Sequence, residues 1–379
     1  MFRRAYWIAA IEEAWRRRSI VWLSGVRRSG KTVLSQSLSG VEYFDCELPR
    51  VRQSMADPES WLRALRGKQV VLDEVHRLAN PSELLKIAAD HFPDVRVLAT
   101  GSSTLQATAK FRDTLTGRKV EVFLTPMMSA DLEDFGDGDL VRRLTQGGLP
   151  PFYLASPPDE REFQEWMDSY WAKDIQELFR LARRASFMRF VELVVTQSGG
   201  IFEATKFATP CEVSRTTIAN YLSILEATRV AHVVRPFSSH RRTEIVSAPR
   251  VYAFDTGFVT CWRGWSSPRL AELGILWEHY VLNEIQSQLP GVEVRYWRDL
   301  RHHEVDFVVA RRGRSPVAIE CKWSGGGDED LSGLVAFRRA YPRGPNIVIA
   351  PGVERPYVRG VQGVQVEYVN LDGLIQRLG

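Results

Sequence analysis

The sequence predicts an α/β fold: a parallel sheet covered by helices in the first third, a helical stretch and a small helical module in the middle, and a second α/β domain at the C-terminus. Three observations carry this. Short apolar runs, Ile20–Ser24, Val41–Phe44, Gln69–Asp73 and Val95–Thr100, alternate with helix-length patterns, as strands do in a parallel sheet buried on both faces. The stretch Gly25-Val-Arg-Arg-Ser-Gly30-Lys31-Thr32 lies between the first of these runs and a helical pattern of Val33, Leu34 and Leu38. In the last third, Glu278 stands on an otherwise apolar helical stripe of Ile275, Leu282, Ile285 and Leu289, where a charge is costly unless it is paired or coordinated, and short strand runs follow.

The 379 residues suggest two or three domains, and 44% hydrophobic with 25% charged residues is the composition of an ordinary globular protein. A net charge of +4 permits a nucleic-acid partner without arguing for one. Cys46, Cys211, Cys261 and Cys321 lie far apart without C-x-x-C spacing, so neither a zinc site nor a disulfide framework is indicated. The N-terminus turns acidic too soon for a signal peptide, and no apolar run approaches the length of a membrane span. A cytoplasmic protein with no membrane partner is expected.

Residues 5–18 read as an amphipathic helix ending in Arg16-Arg17-Arg18. Gly25 to Thr32 then fits the phosphate-loop pattern G-x-x-x-x-G-K-[ST]. The glycines let the backbone curl so that its N–H groups face an anion. Lys31 reaches the terminal phosphates, and the Thr32 hydroxyl ligates Mg²⁺. Gly25, Arg28, Ser29, Gly30, Lys31 and Thr32 are the candidate nucleotide-binding residues, with ATP and Mg²⁺ as the expected ligands. Asp73 fits the second nucleotide motif, a carboxylate at the end of a buried strand that holds Mg²⁺, usually through water. Glu74 beside it could polarise the attacking water or serve only as a helix N-terminal charge. Ser102 and Ser103 could orient the γ-phosphate or cap the next helix. Ligands on such sheets bind beyond the carboxyl ends of the strands, and Thr32, Asp73, Glu74 and Ser102 all fall there.

Gly25–Thr32, Val71-Leu-Asp-Glu-Val75 and Leu98-Ala-Thr-Gly-Ser-Ser103 resemble the core of an AAA+-type ATPase, as do Leu115-Thr-Gly-Arg118 and Leu124-Thr-Pro126. With Gly147-Gly-Leu-Pro150 and Tyr252-Ala-Phe-Asp-Thr-Gly257, nearly the whole chain resembles the bacterial and archaeal branch in which this core is fused to a C-terminal domain of unknown function. The resemblance implies ATP hydrolysis and makes Arg118 a candidate arginine finger. A finger acting in trans would require a homo-oligomer. From the sequence alone Arg118 could equally be a plain surface charge.

The core is expected over residues 1–126 and a helical lid or linker over 127–185, with the aromatic run Phe163–Trp171 as its packing. Residues 186–257 read as a winged-helix module. Helices at Phe187–Gln197 and Glu203–Ala208 precede a third, Arg215–Glu226, which Ser214 caps. Ile218, Leu222 and Leu225 form its buried stripe, leaving Arg215, Thr217 and Asn220 outward. Val230–Val234 and the basic stretch through Arg235, Arg241, Arg242 and Arg250 look like a wing. Arg215, Thr217, Asn220, Arg241 and Arg242 are therefore candidate DNA contacts, with DNA the favoured nucleic acid. The same module could bind protein instead.

Residues 258–379 carry the second constellation. Glu278 falls on the stripe of Ile275, Leu282, Ile285 and Leu289 on one helix. Strand alternation puts Glu320 and Lys322 on one face, where Asp306 of the neighbouring strand can join them. Glu-Val-Asp306-Phe-Val-Val and Ile-Glu320-Cys-Lys322 resemble the PD-(D/E)xK nuclease fold, and Glu278 matches its helical acid. The resemblance implies Mg²⁺ held by Glu278, Asp306 and Glu320, with Lys322 as a catalytic residue. The alternative is a structural ion-pair cluster in a domain that no longer cleaves.

Overall fold

A computed structural model of the chain describes residues 3–101, 115–155, 159–179, 181–238, 248–324 and 330–379. The chain divides into two compact units: Met1–Asp139, Gly148–Arg184 and Ala227–Val230 form the first, and Leu140–Gly147, Ala185–Glu226 and Ala231–Gly379 form the second.

The first unit is the predicted parallel α/β sheet. Its strands are β1 (Ile20–Ser24), β2 (Val41–Asp45), β3 (Gln69–Asp73), β4 (Arg96–Thr100) and β5 (Lys119–Phe123), in the order β2-β3-β4-β1-β5. The central strands are apolar on both faces because helices cover both. Trp22, Val70, Leu72 and Val97 pack with Leu84, Leu85 and Ala88 of helix Pro81–His91. Val21, Leu23, Val71 and Leu98 pack on the other face with Trp7, Ile11 and Trp15 of helix Ala5–Arg17. Because β4 lies between β1 and β3, the carboxyl ends of three adjacent strands meet: Leu23 pairs with Thr100, and Leu72 with Ala99.

The second unit is built on a nine-stranded sheet, β13-β14-β12-β11-β10-β9-β7-β8-β6. In chain order the strands are β6 (Gly200–Ile201), β7 (Ala231–Pro236), β8 (Arg250–Ala253), β9 (Val294–Arg298), β10 (Glu304–Val309), β11 (Val317–Cys321), β12 (Asn346–Ile349), β13 (Tyr357–Val361) and β14 (Val364–Val369). The sheet runs across the boundary expected at 257/258. The expected wing strands β7 and β8 pair antiparallel, and the end of β7 continues parallel onto β9, with Arg235 beside Arg295 and Pro236 beside Tyr296. This pairing satisfies backbone groups that a separate three-stranded wing would leave on an open edge. The division also runs through the expected lid, since 140–147 group with the second unit and 148–184 with the first.

Two sequence signatures meet as a packing junction. Gly147 has φ +86°, and a Cβ there would lie 2.1 Å from Asp255 Oδ1; one at Gly257 would lie 2.5 Å from the Gln146 carbonyl. These glycines are required by close backbone approach.

A buried polar relay fixes helix Leu270–Gln288 against β8. His279 Nδ1 lies 2.7 Å from the Ile275 carbonyl, and Nε2 lies 2.5 Å from Ser198 Oγ, which accepts the Ala253 N–H at 2.6 Å. Burial pushes the imidazole pKa down to about 4, so a neutral ring donates through Nδ1 and accepts the Ser198 proton at Nε2. Ser198→Ala leaves an imidazole nitrogen and a backbone N–H unpaired, and should cost roughly 1–3 kcal/mol in a urea unfolding curve of the intact chain. An unchanged midpoint would show that the relay does not stabilise the unit.

Candidate functional site

The loop after β1 is shaped by its side chains as much as by its glycines. A Cβ on Gly25 would lie 2.6 Å from the Leu124 carbonyl, and Gly30 has φ +95°. Arg28 adopts φ 64°, unusual for a residue with a side chain. Helix Lys31–Gln36 follows, with Thr32 exposed in its first turn. The Lys31 ammonium donates to the Gly25 and Val26 carbonyls at 2.9 and 3.2 Å. Burial lowers its pKa, and the charges of Glu74, Asp174 and Asp73 work against that shift. Ser29 Oγ is buried and, among the described residues, has no hydrogen-bond partner.

Other parts of the unit brace this loop. Arg4 donates to the Ser29 carbonyl at 2.9 Å and pairs with buried Asp131 at 2.6 Å. Trp166 Nε1 donates to the Arg27 carbonyl at 2.9 Å, and the Arg27 guanidinium lies 3.1 Å from Asp174 in the π-helical turn Tyr170–Ile175.

Asp73 is 3% exposed at the end of β3. Its Oδ2 accepts from the Tyr43 hydroxyl at 2.6 Å, and its Oδ1 accepts from the Thr100 hydroxyl. Thr100 Oγ1 in turn accepts the Glu74 N–H at 3.1 Å. Glu74 has φ 53°, which turns the chain out of the strand. Its carboxylate lies 3.0 Å from His76 Nδ1. Burial would raise the Glu74 pKa, but His76, Lys31 and Arg27 outweigh it and hold the carboxyl below its usual range. An ionised acid and an ammonium thus share the carboxyl ends of the strands. These residues suit a magnesium–nucleotide: among the described residues the buried Ser29 hydroxyl lacks a partner, and the buried Asp73 carboxylate, bonded to two neutral hydroxyls, shares the strand ends with the field of Lys31.

Sequence reasoning missed Thr100, Tyr43, Arg4 and Asp174. For Thr100 a signal existed, a hydroxyl closing an otherwise apolar strand. Ser102 and Ser103 lie outside the described residues. Arg118 lies elsewhere: it precedes Lys119, which pairs with Ile20 at the start of β1, roughly 17 Å along the strand from the phosphate loop. Its guanidinium lies 2.7 Å from Asp90. It therefore does not complete the loop of its own chain.

In the second unit, Ser214 Oγ accepts the Thr217 N–H at 3.1 Å and lies 2.9 Å from Thr217 Oγ1, so Thr217 is engaged in the cap of helix Arg215–Ala227. Arg215 and Asn220 are exposed on a strip with Thr216, Ala219 and Ser223. The wing arginines differ from expectation. Arg235 pairs with Glu226 at 3.1 Å, and Arg250 is buried among acids rather than outward. Arg241 and Arg242 lie outside the described residues.

The carboxylates of Glu278, Asp306 and Glu320 neighbour one another electrostatically, but they do not converge on a place for one ion. Among the described residues no three His, Cys, Asp or Glu side chains are grouped to hold a metal. The reason is Arg250, whose Nη1 lies 3.0 Å from Glu278 and 3.6 Å from Asp306, while Nη2 pairs with Glu304. Tyr252 also donates to Glu278, and Cys321 N–H donates to Asp306 Oδ2 at 2.9 Å. Lys322 Nζ lies 2.9 Å from Glu320 Oε1, while Glu320 Oε2 is buried and, among the described residues, has no hydrogen-bond partner. Burial and the neighbouring Asp306 push the Glu278 pKa up to about 8.

Family models match three successive stretches of the chain, and the middle one takes in residues of both units. Residues 17–132 match a family described as an AAA domain. Residues 137–269 match a domain of unknown function (DUF8612), and residues 273–369 match another (DUF4143). Two uncharacterised proteins, Rv2008c of Mycobacterium tuberculosis and Mb2031c of Mycobacterium bovis, are each 28% identical over 327 residues, covering 83% of this chain and 72% of theirs. Among solved structures, the Walker-type ATPase PABY2304 of Pyrococcus abyssi aligns at 16% identity with a TM-score of 0.45, covering 69% of this chain and 96% of that one. The stretch that matches an AAA domain is the one that carries the Gly25–Thr32 loop, Asp73 and Glu74. Among the described residues no helix is long and apolar enough to cross a membrane.

Thr100→Val keeps the shape of a buried residue but removes the hydroxyl shared by Asp73 and Glu74. ATP binding should persist while hydrolysis falls by about 10²-fold, the cost of a misplaced reacting group. Unchanged turnover would reduce Thr100 to a packing residue.

Proposed function

We propose that the chain is an ATP-driven switch: the first unit binds and hydrolyses ATP, and its nucleotide state controls how the second unit engages DNA. The observation that carries the first half is the mutual field of Lys31, which follows β1, and of Asp73 and Glu74 at the end of β3. Lys31 would exchange the Gly25 and Val26 carbonyls for terminal phosphate oxygens. Thr32 and Asp73 would hold Mg²⁺, which neutralises phosphate charge when bound. Glu74, kept ionised, has a carboxylate available to accept a proton from the attacking water. Arg118 would act on a neighbouring copy, because it stands at the opposite end of the sheet from its own loop.

The exposed strip of helix Arg215–Ala227 supports the DNA half of the reading. For the C-terminal sheet we favour a binding scaffold over a cutting enzyme, because a guanidinium stands among its acids.

Lys31→Ala should weaken ATP binding, and Glu74→Gln should leave binding intact while slowing hydrolysis roughly 10²–10⁴-fold. Equal turnover by wild type and Glu74→Gln would remove Glu74 from the mechanism. Specific activity should rise with protein concentration and Arg118→Ala should abolish the rise; a concentration-independent rate from a monomer would end the trans assignment. For DNA, Arg215→Ala should lower the slope of log affinity against log salt by about one unit. A slope equal to that of wild type would place the helix in the protein-binding class.

A further inference from the structure

The acids of the C-terminal sheet sit as they would around a cation, and the chain supplies that cation itself. Arg250 is the first residue of β8, and its side chain is 11% exposed. Three acids from two elements surround it: Glu278 of helix Leu270–Gln288, and Glu304 and Asp306 of β10. Its position is fixed from several sides. The guanidinium lies over the Tyr296 ring at 5.4 Å, and Nη1 also reaches the Tyr252 hydroxyl at 3.3 Å. Glu304 is held in turn by Arg298 at 3.0 Å. A magnesium ion needs about six oxygens at roughly 2.0–2.1 Å in octahedral array. Here Glu278 Oε1 already receives the Arg250 N–H and the Tyr252 O–H, Asp306 Oδ2 receives the Cys321 N–H, and the planar guanidinium lies 3.6 Å from Asp306 Oδ1. A divalent ion brought there would face like charge at contact distance.

We propose that Arg250 is a resident counter-ion that takes the position between Glu278 and Asp306 which a divalent metal would otherwise hold. The second unit as folded is thereby closed to metal at this cluster. The inference rests on the scaffold reading of the C-terminal sheet and supplies its physical cause; it is independent of ATP hydrolysis. Arg250 is not a catalytic residue in this account. It is the group whose removal would open the site.

The test is Mn²⁺ binding to the full chain without nucleotide, followed by electron paramagnetic resonance. Comparing each protein with its Asp306→Asn partner subtracts any ion held at the phosphate loop. Wild type and Asp306→Asn should bind the same number of Mn²⁺ ions. Arg250→Met should gain one ion, bound at least about tenfold more tightly than at any wild-type site, and Arg250→Met/Asp306→Asn should lose it. A wild-type ion that Asp306→Asn removes would overturn the proposal, and so would a folded Arg250→Met that binds no additional ion. If Arg250→Met does not fold, the wild-type comparison decides alone. ATP turnover, measured alongside, separates this result from the switch reading: its loss in Glu74→Gln concerns the first unit whatever Mn²⁺ does in the second.

Discussion

A carboxylate buried at the end of a parallel strand must find donors for both oxygens, and Asp73 finds them on the two strands beside its own. Tyr43 comes from β2 and Thr100 from β4. Hydrogen bonds to a charged group contribute about 1.5–3 kcal/mol each, so the pair offsets much of the cost of burial. The strand order β2-β3-β4-β1 makes this possible, since β4 separates β3 from β1 and brings its own terminal hydroxyl between their ends. The same hydroxyl then accepts the Glu74 N–H and fixes the left-handed turn that carries Glu74 out of the sheet. One side chain thus sets both acids of the nucleotide site.

The phosphate loop shows the complementary logic on its carbonyl side. The Ser29 carbonyl accepts from Arg4, the Arg27 carbonyl from Trp166, and those of Gly25 and Val26 from Lys31. The Ser29 N–H donates to the Val26 carbonyl at 3.2 Å, so among the loop's backbone groups its carbonyls are the ones these side chains engage, an arrangement that suits N–H groups turned to an anion. Arg4 and Trp166 are donors that need not move when a nucleotide enters. Lys31 is the one that would, in the proposed role, exchange two neutral carbonyls for charged phosphate oxygens.

Local pattern made the first unit readable. Its strands are unbroken apolar runs, and its loop is a motif in eight consecutive residues. The braces were not readable in the same way: Arg4 and Asp131 are 127 residues apart, and nothing near either one announces the other. In the second unit the period-two alternation located β10 and β11, and the helical stripe located Glu278. The misplaced residue was Arg250. As a basic residue after a basic stretch it reads as part of a wing, and only the pairing of β7 with both β8 and β9 draws it into the C-terminal sheet beside the acids. Sequence period gives the face of a strand; it does not say which sheet the strand joins.

The two units therefore answer the same problem with different chemistry, and the difference has consequences for metal. Asp73 is held by hydroxyls, which are neutral and leave the charge of the carboxylate uncancelled, so its field still favours a cation at the strand ends. Glu278, Glu304 and Asp306 are held by a guanidinium, which cancels charge as well as filling lone pairs. Both arrangements give buried acids partners; under the readings proposed above, the first would keep its field open to Mg²⁺ and the second would answer it with Arg250. Counting carboxylates along a sequence cannot separate the two cases. What separates them is the charge of the donor, and in the C-terminal sheet that donor comes from a strand 28 residues before the nearest acid of the cluster.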